Sequence, residues 1–210
     1  MQSKEKNASG GVLNRLFSMT ELCKALLFFA CGYLFCFLFL LDYSIPDITV
    51  FHRDSTTSLS GLQHPVLYLI YLMLLGFSQF LNLGYMRRRY QCHNKLVAVC
   101  HYAGFCALII VALIKADHPQ IWWIHTLFSV VYAAMNGFTI LLLVAFEKKR
   151  YPRFRSFFYG GIVFTVAVAT GFLIQLCGFM ETVPMLIAMT TLYVINFTNV
   201  VPPVRNSEAA

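Results

Sequence analysis

Long apolar runs alternate with short polar segments along the whole chain. Six runs stand out. The length of each is near the about 20 residues that a helix needs to cross a bilayer. They are Leu22–Leu41, Pro65–Tyr85, Leu96–Ile114, Ile121–Phe146, Phe157–Phe179 and Val183–Val201. Because unpaired backbone groups are too costly in lipid, each run is expected to be helical. The pattern predicts an all-α, polytopic integral membrane protein, with a six-helix transmembrane domain over residues 22–201 between tails 1–21 and 202–210.

Lysine and arginine are distributed unevenly among the segments that flank these runs. From the first segment to the last they number 4, 1, 4, 1, 5, 0 and 1, which accounts for all 16 when Lys24, near the start of the first run, is counted with the first segment. The rich segments hold Lys4, Lys6, Arg15 and Lys24; Arg87, Arg88, Arg89 and Lys95; and Lys148, Lys149, Arg150, Arg153 and Arg155. The positive-inside rule makes these segments cytoplasmic. The alternation therefore predicts six spans with both termini in the cytoplasm, and removing one span would break it.

Composition agrees with a membrane protein and excludes other classes. Hydrophobic residues make up 59% of the chain and charged residues 12%, and the mean hydropathy is +0.67. A soluble core of this size could not bury so much apolar surface. The net charge of +7 comes from short clusters beside the spans, so nucleic acid is not an expected partner. The seven cysteines form no CxxC pair, which is unlike a disulfide framework or a zinc site.

The basic clusters allow two interpretations. They can determine the topology, or they can contact anionic lipid headgroups at the inner leaflet. The candidate headgroup contacts are Arg87, Arg88, Arg89, Lys148, Lys149 and Arg150.

The fourth run carries a stripe of polar residues at helical spacing. His125, Ser129, Tyr132, Asn136 and Thr139 follow one another at intervals of 4, 3, 4 and 3 residues. At that spacing they share one narrow face of a helix. Polar groups in a membrane helix turn toward protein or water, so this face is expected to point into the bundle. It would either hydrogen-bond to neighbouring helices or line a polar cavity.

Acids and histidines collect at the predicted outer rim. Asp42 and Glu181 lie at helix ends, and His125 lies at similar depth. Together they could bind a polar headgroup or pass a proton, or they could simply be solvated helix ends. His64 and His125 could in principle hold a haem between two helices. His101 has no partner on another helix at its depth, so a two-haem electron carrier is not supported. No cofactor is predicted.

The order of features resembles the FRAG/DRAM/SFK family and related uncharacterised bacterial six-helix membrane proteins. The resemblance rests on Asp42 to Asp47 after the first run, on Asn94-Lys95, on Ile124-His125, on Glu181, and on Leu192 to Thr198. It implies a six-helix membrane protein whose relatives include autophagy modulators and proteins that handle GPI-anchor lipids. Carried over by position, Asp42, His125 and Glu181 are the residues to watch.

No catalytic signature is present: the chain has no GxSxG, HExxH, P-loop or GxGxxG motif. The leading hypothesis is a membrane protein that binds lipid or modulates a membrane process, with membrane lipids or another membrane protein as partners. The stripe would line an outward cavity with Asp42, His125 and Glu181 at its mouth. The alternatives are a proton-coupled carrier that uses the stripe, a lipid-modifying enzyme that uses His125 with Asp42 or Glu181, and a scaffold.

Overall fold

The computed structural model describes residues 18–44, 64–114, 122–174 and 178–202, without the side chains of 37–44, 172–173 and 178–180. Every regular element within these ranges is an α-helix. The helices are α1 (Met19–Ser44), α2 (Pro65–Arg89), α3 (Lys95–Leu113), α4 (Trp122–Glu147), α5 (Phe154–Ile174) and α6 (Gly178–Phe197). The all-α prediction is therefore confirmed over the described residues.

Five helices of the described chain, α1 to α5, are long and apolar enough to cross a membrane. The apolar part of α6, Glu181–Phe197, is shorter. Two predicted boundaries were wrong. Gly178 and Phe179 belong to α6 rather than to the fifth helix, and α6 ends at Phe197 rather than at Val201.

Local sequence explains where the helices begin and turn. Pro65 opens α2 at a position where its missing N–H costs nothing. The side-chain oxygen of Asn94 caps α3 by accepting the Leu96 N–H at 2.8 Å. Between α2 and α3, Gln91 adopts a left-handed φ of 53°, the conformation that commonly ends a helix in a tight turn. The α2–α3 connection is therefore short and well defined.

Helix α2 is the centre of the bundle and contacts α1, α3, α4 and α6. The other helices follow one another around it in the order α3, α4, α5, α6 and α1, each packed on the next. Helix α5 is the outermost, because only 6% of its membrane-length window is buried. The polar residues of α2 therefore face several helices at once.

Many large apolar side chains lie on the outside of the bundle, and a set of polar ones is enclosed. Phe28, Val163 and Ile174 are 76%, 70% and 79% exposed. The buried polar residues are Ser78, Gln79, Asn82, His101, His125, Asn136, Thr139, Thr182 and Asn196. This distribution reverses that of a soluble protein and suits a lipid environment, in which polar groups must be satisfied internally.

The basic segments meet at one end of the bundle, which we call the basic end. The start of α1 meets the end of α2 there, where Thr20 Oγ1 lies 3.4 Å from the Tyr85 hydroxyl. The α4–α5 connection reaches the α2–α3 turn, where Arg150 Nη2 donates to Gln91 Oε1 at 3.2 Å. The end of α6 lies there too, because the hydroxyl of Tyr90, just after α2, lies 2.8 Å from Ile195 O and 2.7 Å from Val201 O.

Candidate functional site

The polar stripe of α4 faces the interior, as its spacing predicts. Tyr132, Asn136 and Thr139 are buried, His125 is buried, and Ser129 is partly buried. Three of these side chains donate to carbonyls of α4 itself: Ser129 Oγ to His125 O at 2.9 Å, Asn136 Nδ2 to Tyr132 O at 2.9 Å, and Thr139 Oγ1 to Met135 O at 2.7 Å. Much of the stripe therefore satisfies its own donors along the helix.

Tyr132, in the middle of the stripe, reaches α2. Its hydroxyl donates to Gln79 Oε1 of α2 at 2.7 Å, and Gln79 Nε2 lies 3.5 Å from Met185 Sδ of α6. Both Tyr132 and Gln79 are buried. This contact links α4, α2 and α6, and one sequence could not reveal it because it depends on which helices are neighbours.

A second buried polar contact joins α1, α2 and α6. Asn82 Nδ2 donates to Cys23 O of α1 at 3.0 Å and to Ser78 O at 2.8 Å. Asn196 Nδ2 of α6 donates to Asn82 O at 3.0 Å. Within the described part of the chain, Ser78 Oγ, Asn82 Oδ1 and Asn196 Oδ1 have no protein partner. They can accept hydrogen bonds from a buried water.

The outer-rim residues are only partly described. His125 is buried, and its Nδ1 lies 2.7 Å from the carbonyl of Ile114 at the end of α3. A carbonyl only accepts, so Nδ1 donates and ties the start of α4 to α3. Glu181 is partly buried near the start of α6, and Asp42 lies on α1 with its side chain outside the described residues. His125 therefore holds two helices together at this end.

His64, considered above as a haem ligand beside His125, immediately precedes α2. No group of three His, Cys, Asp or Glu side chains suited to a metal ion occurs among the residues described.

Arg87, a predicted headgroup contact, is turned toward the protein. Its Nη1 lies 3.3 Å from Nδ1 of the buried His101, whose Nε2 lies 2.9 Å from Phe80 O. Because the Phe80 carbonyl only accepts, Nε2 carries the proton and Nδ1 accepts from Arg87. The guanidinium also lies 5.8 Å from the centre of the Tyr102 ring. Arg87 thus joins α2 to α3, and these contacts hold its guanidinium group against α3.

Arg88 and Arg89 instead border an open cavity of about 360 Å³ at the basic end. Met19 and Tyr85 complete its lining. Arg88 is exposed and Arg89 partly buried, and the Arg89 guanidinium lies 5.8 Å from the centre of the Tyr90 ring. We call this space the α1–α2 cavity. The sequence identified the two arginines but not Met19 or Tyr85, since the cavity forms only where α1 and α2 meet.

Two of the three predicted basic residues on α4–α5 have neutral protein partners. Lys148 Nζ lies 3.9 Å above the Phe158 ring, and Arg150 donates to Gln91. Lys149 is exposed. Over the ranges that the structure covers, the single ion pair joins Lys24 and Glu21 of α1 at 2.9 Å.

Comparison with known proteins gives no assignment. No protein-family model, no curated protein and no solved structure matches this chain. The resemblance to the FRAG/DRAM/SFK family therefore stays a prediction.

Proposed function

We propose that this chain is a six-span membrane protein, with both termini in the cytoplasm, that binds anionic lipid headgroups at its basic end and modulates a membrane process without catalysis of its own. The apolar exterior and the five membrane-length helices support residence in a bilayer. The clustering of basic segments at one end supports the orientation, because such segments stay on the cytoplasmic side.

The imbalance of charge at the basic end carries the lipid-binding proposal. Its described basic residues are Lys24, Arg87, Arg88, Arg89, Lys95, Lys148, Lys149, Arg150, Arg153 and Arg155, and its described acids are Glu21 and Glu147. Among these described residues, only Lys24 is in an ion pair. The cytoplasmic leaflet is negatively charged, and each lysine or arginine near it contributes about 1 kcal/mol of attraction. Anionic lipid is the nearest source of the missing counter-charge.

The carrier hypothesis has less support from the geometry. Its pathway would follow the α4 stripe, but those side chains mostly bond to their own helix. Asn136 also packs closely on α3, because a Cβ built at Gly104 would lie 3.4 Å from Asn136 Cγ. Helix packing explains these contacts without a pathway. The enzyme hypothesis depends on His125, of which one ring nitrogen is held by Ile114 O.

Native mass spectrometry of the full chain, extracted in mild detergent, tests the lipid proposal. We expect anionic lipid to co-purify in excess over its share of the membrane extract, and to be lost as ionic strength rises, because salt screens exposed charges. The variant His125→Ala should retain this lipid, since His125 lies at the opposite end of the bundle.

If the composition of the bound lipid equals that of the membrane extract, the proposal is contradicted. Loss of the lipid in His125→Ala alone would move the site to the outer rim with Asp42 and Glu181. A haem mass would indicate an electron carrier instead.

A further inference from the structure

The α1–α2 cavity combines cationic, hydrogen-bonding and apolar groups in one place. Arg88 and Arg89 supply guanidinium groups, Tyr85 a phenol, and Met19 an apolar wall. Its volume of about 360 Å³ is at the lower end of the roughly 300–1,000 Å³ found for small-molecule sites. A headgroup fits such a space better than a whole lipid.

The electrostatics of the cavity favour an anion. Neither Arg88 nor Arg89 has an acidic partner among the described residues. Arg89 Nε is buried without an acceptor there, so one guanidinium donor is unused. Both features point to a negatively charged ligand.

The cavity is closed toward the interior of the bundle. One turn deeper, about 5.4 Å along the helices, Asn82 Nδ2 donates to Cys23 O and joins α2 to α1. The Tyr85 ring packs on Phe197 of α6 with ring centres 5.3 Å apart. A bound group is therefore held at the surface and does not enter a pathway.

The outer wall of the cavity continues into an apolar surface. Met19 and Leu22 are exposed at the start of α1, and Phe29 is exposed further along the same side. A ligand with acyl chains could place them along this surface while its headgroup occupies the cavity. A soluble phosphate would gain nothing from the same contacts.

We propose that the α1–α2 cavity binds the phosphomonoester headgroup of an inner-leaflet lipid, held by Arg88 and Arg89, with the acyl chains along α1. The inference rests on the proposed function and names the lipid class and the site. A phosphomonoester is favoured because it carries close to two negative charges and three terminal oxygens. Two guanidinium groups match such a group with charge-assisted hydrogen bonds.

Native mass spectrometry titrations of the full chain in detergent test the lipid class. The probes are dioleoyl phosphatidic acid, dioleoyl phosphatidylserine, dioleoyl phosphatidylcholine and inorganic phosphate. We expect phosphatidic acid to bind about tenfold or more tightly than either other lipid, a difference that one or two additional charge-assisted hydrogen bonds can supply. Inorganic phosphate should compete only weakly.

Two pairs of variants test the site. Arg88→Gln/Arg89→Gln should abolish the preference for phosphatidic acid. Lys149→Gln/Arg155→Gln removes the same charge from exposed positions elsewhere on the basic end. It should weaken the binding of both anionic lipids to the same extent and leave the preference for phosphatidic acid in place. A thermal unfolding curve of each variant without lipid shows whether it is folded.

A further pair leaves both arginines in place. Met19→Glu introduces a carboxylate into the cavity and should abolish the preference by supplying the counter-charge from within. Met19→Gln alters the shape in the same way without the charge and should retain it.

The possible outcomes separate the site from the proposed function. If Lys149→Gln/Arg155→Gln removes the preference for phosphatidic acid as fully as the arginine pair does, attraction is spread over the basic end and the cavity assignment is wrong, while anionic lipid binding stands. If inorganic phosphate competes as well as phosphatidic acid, the ligand is a soluble phosphate compound. If the wild-type chain prefers no anionic lipid, both proposals fail.

Discussion

Two side chains bind the carbonyl groups at the end of α6, and the sequence did not reveal these contacts. The apolar pattern placed the end of this helix at Val201, before Pro202, yet the helix ends at Phe197. The Tyr90 hydroxyl lies 2.8 Å from Ile195 O and 2.7 Å from Val201 O. Tyr90 thus lies beside one carbonyl within α6 and another beyond its end. In a helix that continued to Val201, these two carbonyls would be more than one turn apart.

Arg153 completes this closure from the α4–α5 connection. Its Nη1 donates to Asn199 O at 3.2 Å and to Val200 O at 2.8 Å. A cation beside the carboxyl end of a helix is also favoured by the helix dipole. One of the basic residues that the sequence ascribed to topology therefore has a structural role as well.

Tyr90→Phe should destabilise the bundle. Tyr90 is fully buried, and burial raises the pKa of its hydroxyl against a smaller opposite effect of Arg89. The hydroxyl therefore stays protonated and able to donate at neutral pH. The hydroxyl carries one proton, so removing it leaves one buried carbonyl without its donor, which costs about 1–3 kcal/mol. The midpoint of detergent-induced unfolding should fall accordingly.

Tyr159→Phe is the matched control, because Tyr159 is 63% exposed on α5. It should unfold at the wild-type midpoint. Equal midpoints for Tyr90→Phe and the wild type would show that the Tyr90 hydroxyl does not hold α6 in place.

At the level of elements, the packing of α2 against α3 depends on a glycine. A Cβ at Gly76 would overlap Leu108 Cδ2 and lie 3.3 Å from Leu108 Cγ. Both residues are buried, so Leu108 has little room to move. Small residues let membrane helices approach closely, and lipid supplies no hydrophobic force to replace a lost contact.

Gly76→Ala should therefore weaken this contact, although alanine favours helix. Overpacking of a well-packed core commonly costs about 1–3 kcal/mol. Gly137→Ala on α4 provides the control, because a Cβ there meets nothing within 4 Å among the neighbouring residues, so this variant should be at least as stable as the wild type. Detergent-induced unfolding measures both, and equal losses would refute the packing explanation.

At the scale of the whole molecule, the described basic residues collect at one end of the bundle, and this asymmetry should fix its orientation. Thr56→Cys lies in the predicted external segment, and Lys149→Cys lies at the basic end. A membrane-impermeant maleimide added to intact cells should label Thr56→Cys. It should label Lys149→Cys only after permeabilisation, and the reverse result would invert the proposed topology.

The native cysteines determine the background labelling in this experiment, which is measured on the wild-type chain. Cys92, at the basic end, is buried, and burial raises the pKa of its thiol. At neutral pH the thiol is therefore protonated, and the reactive thiolate is scarce. We expect little labelling of Cys92 even in permeabilised cells.

The sequence by itself determined the helical class, the approximate helix positions and the inward face of α4. These follow from local rules: lipid requires helices of a certain length, and residues three or four apart share a face. The tertiary structure alone decided the helix neighbours. It placed α2 at the centre, joined Tyr132 to Gln79 and Arg87 to His101, and left Arg88 and Arg89 beside a cavity. Such pairings depend on the order of helices around the bundle, which apolar runs of similar length do not specify.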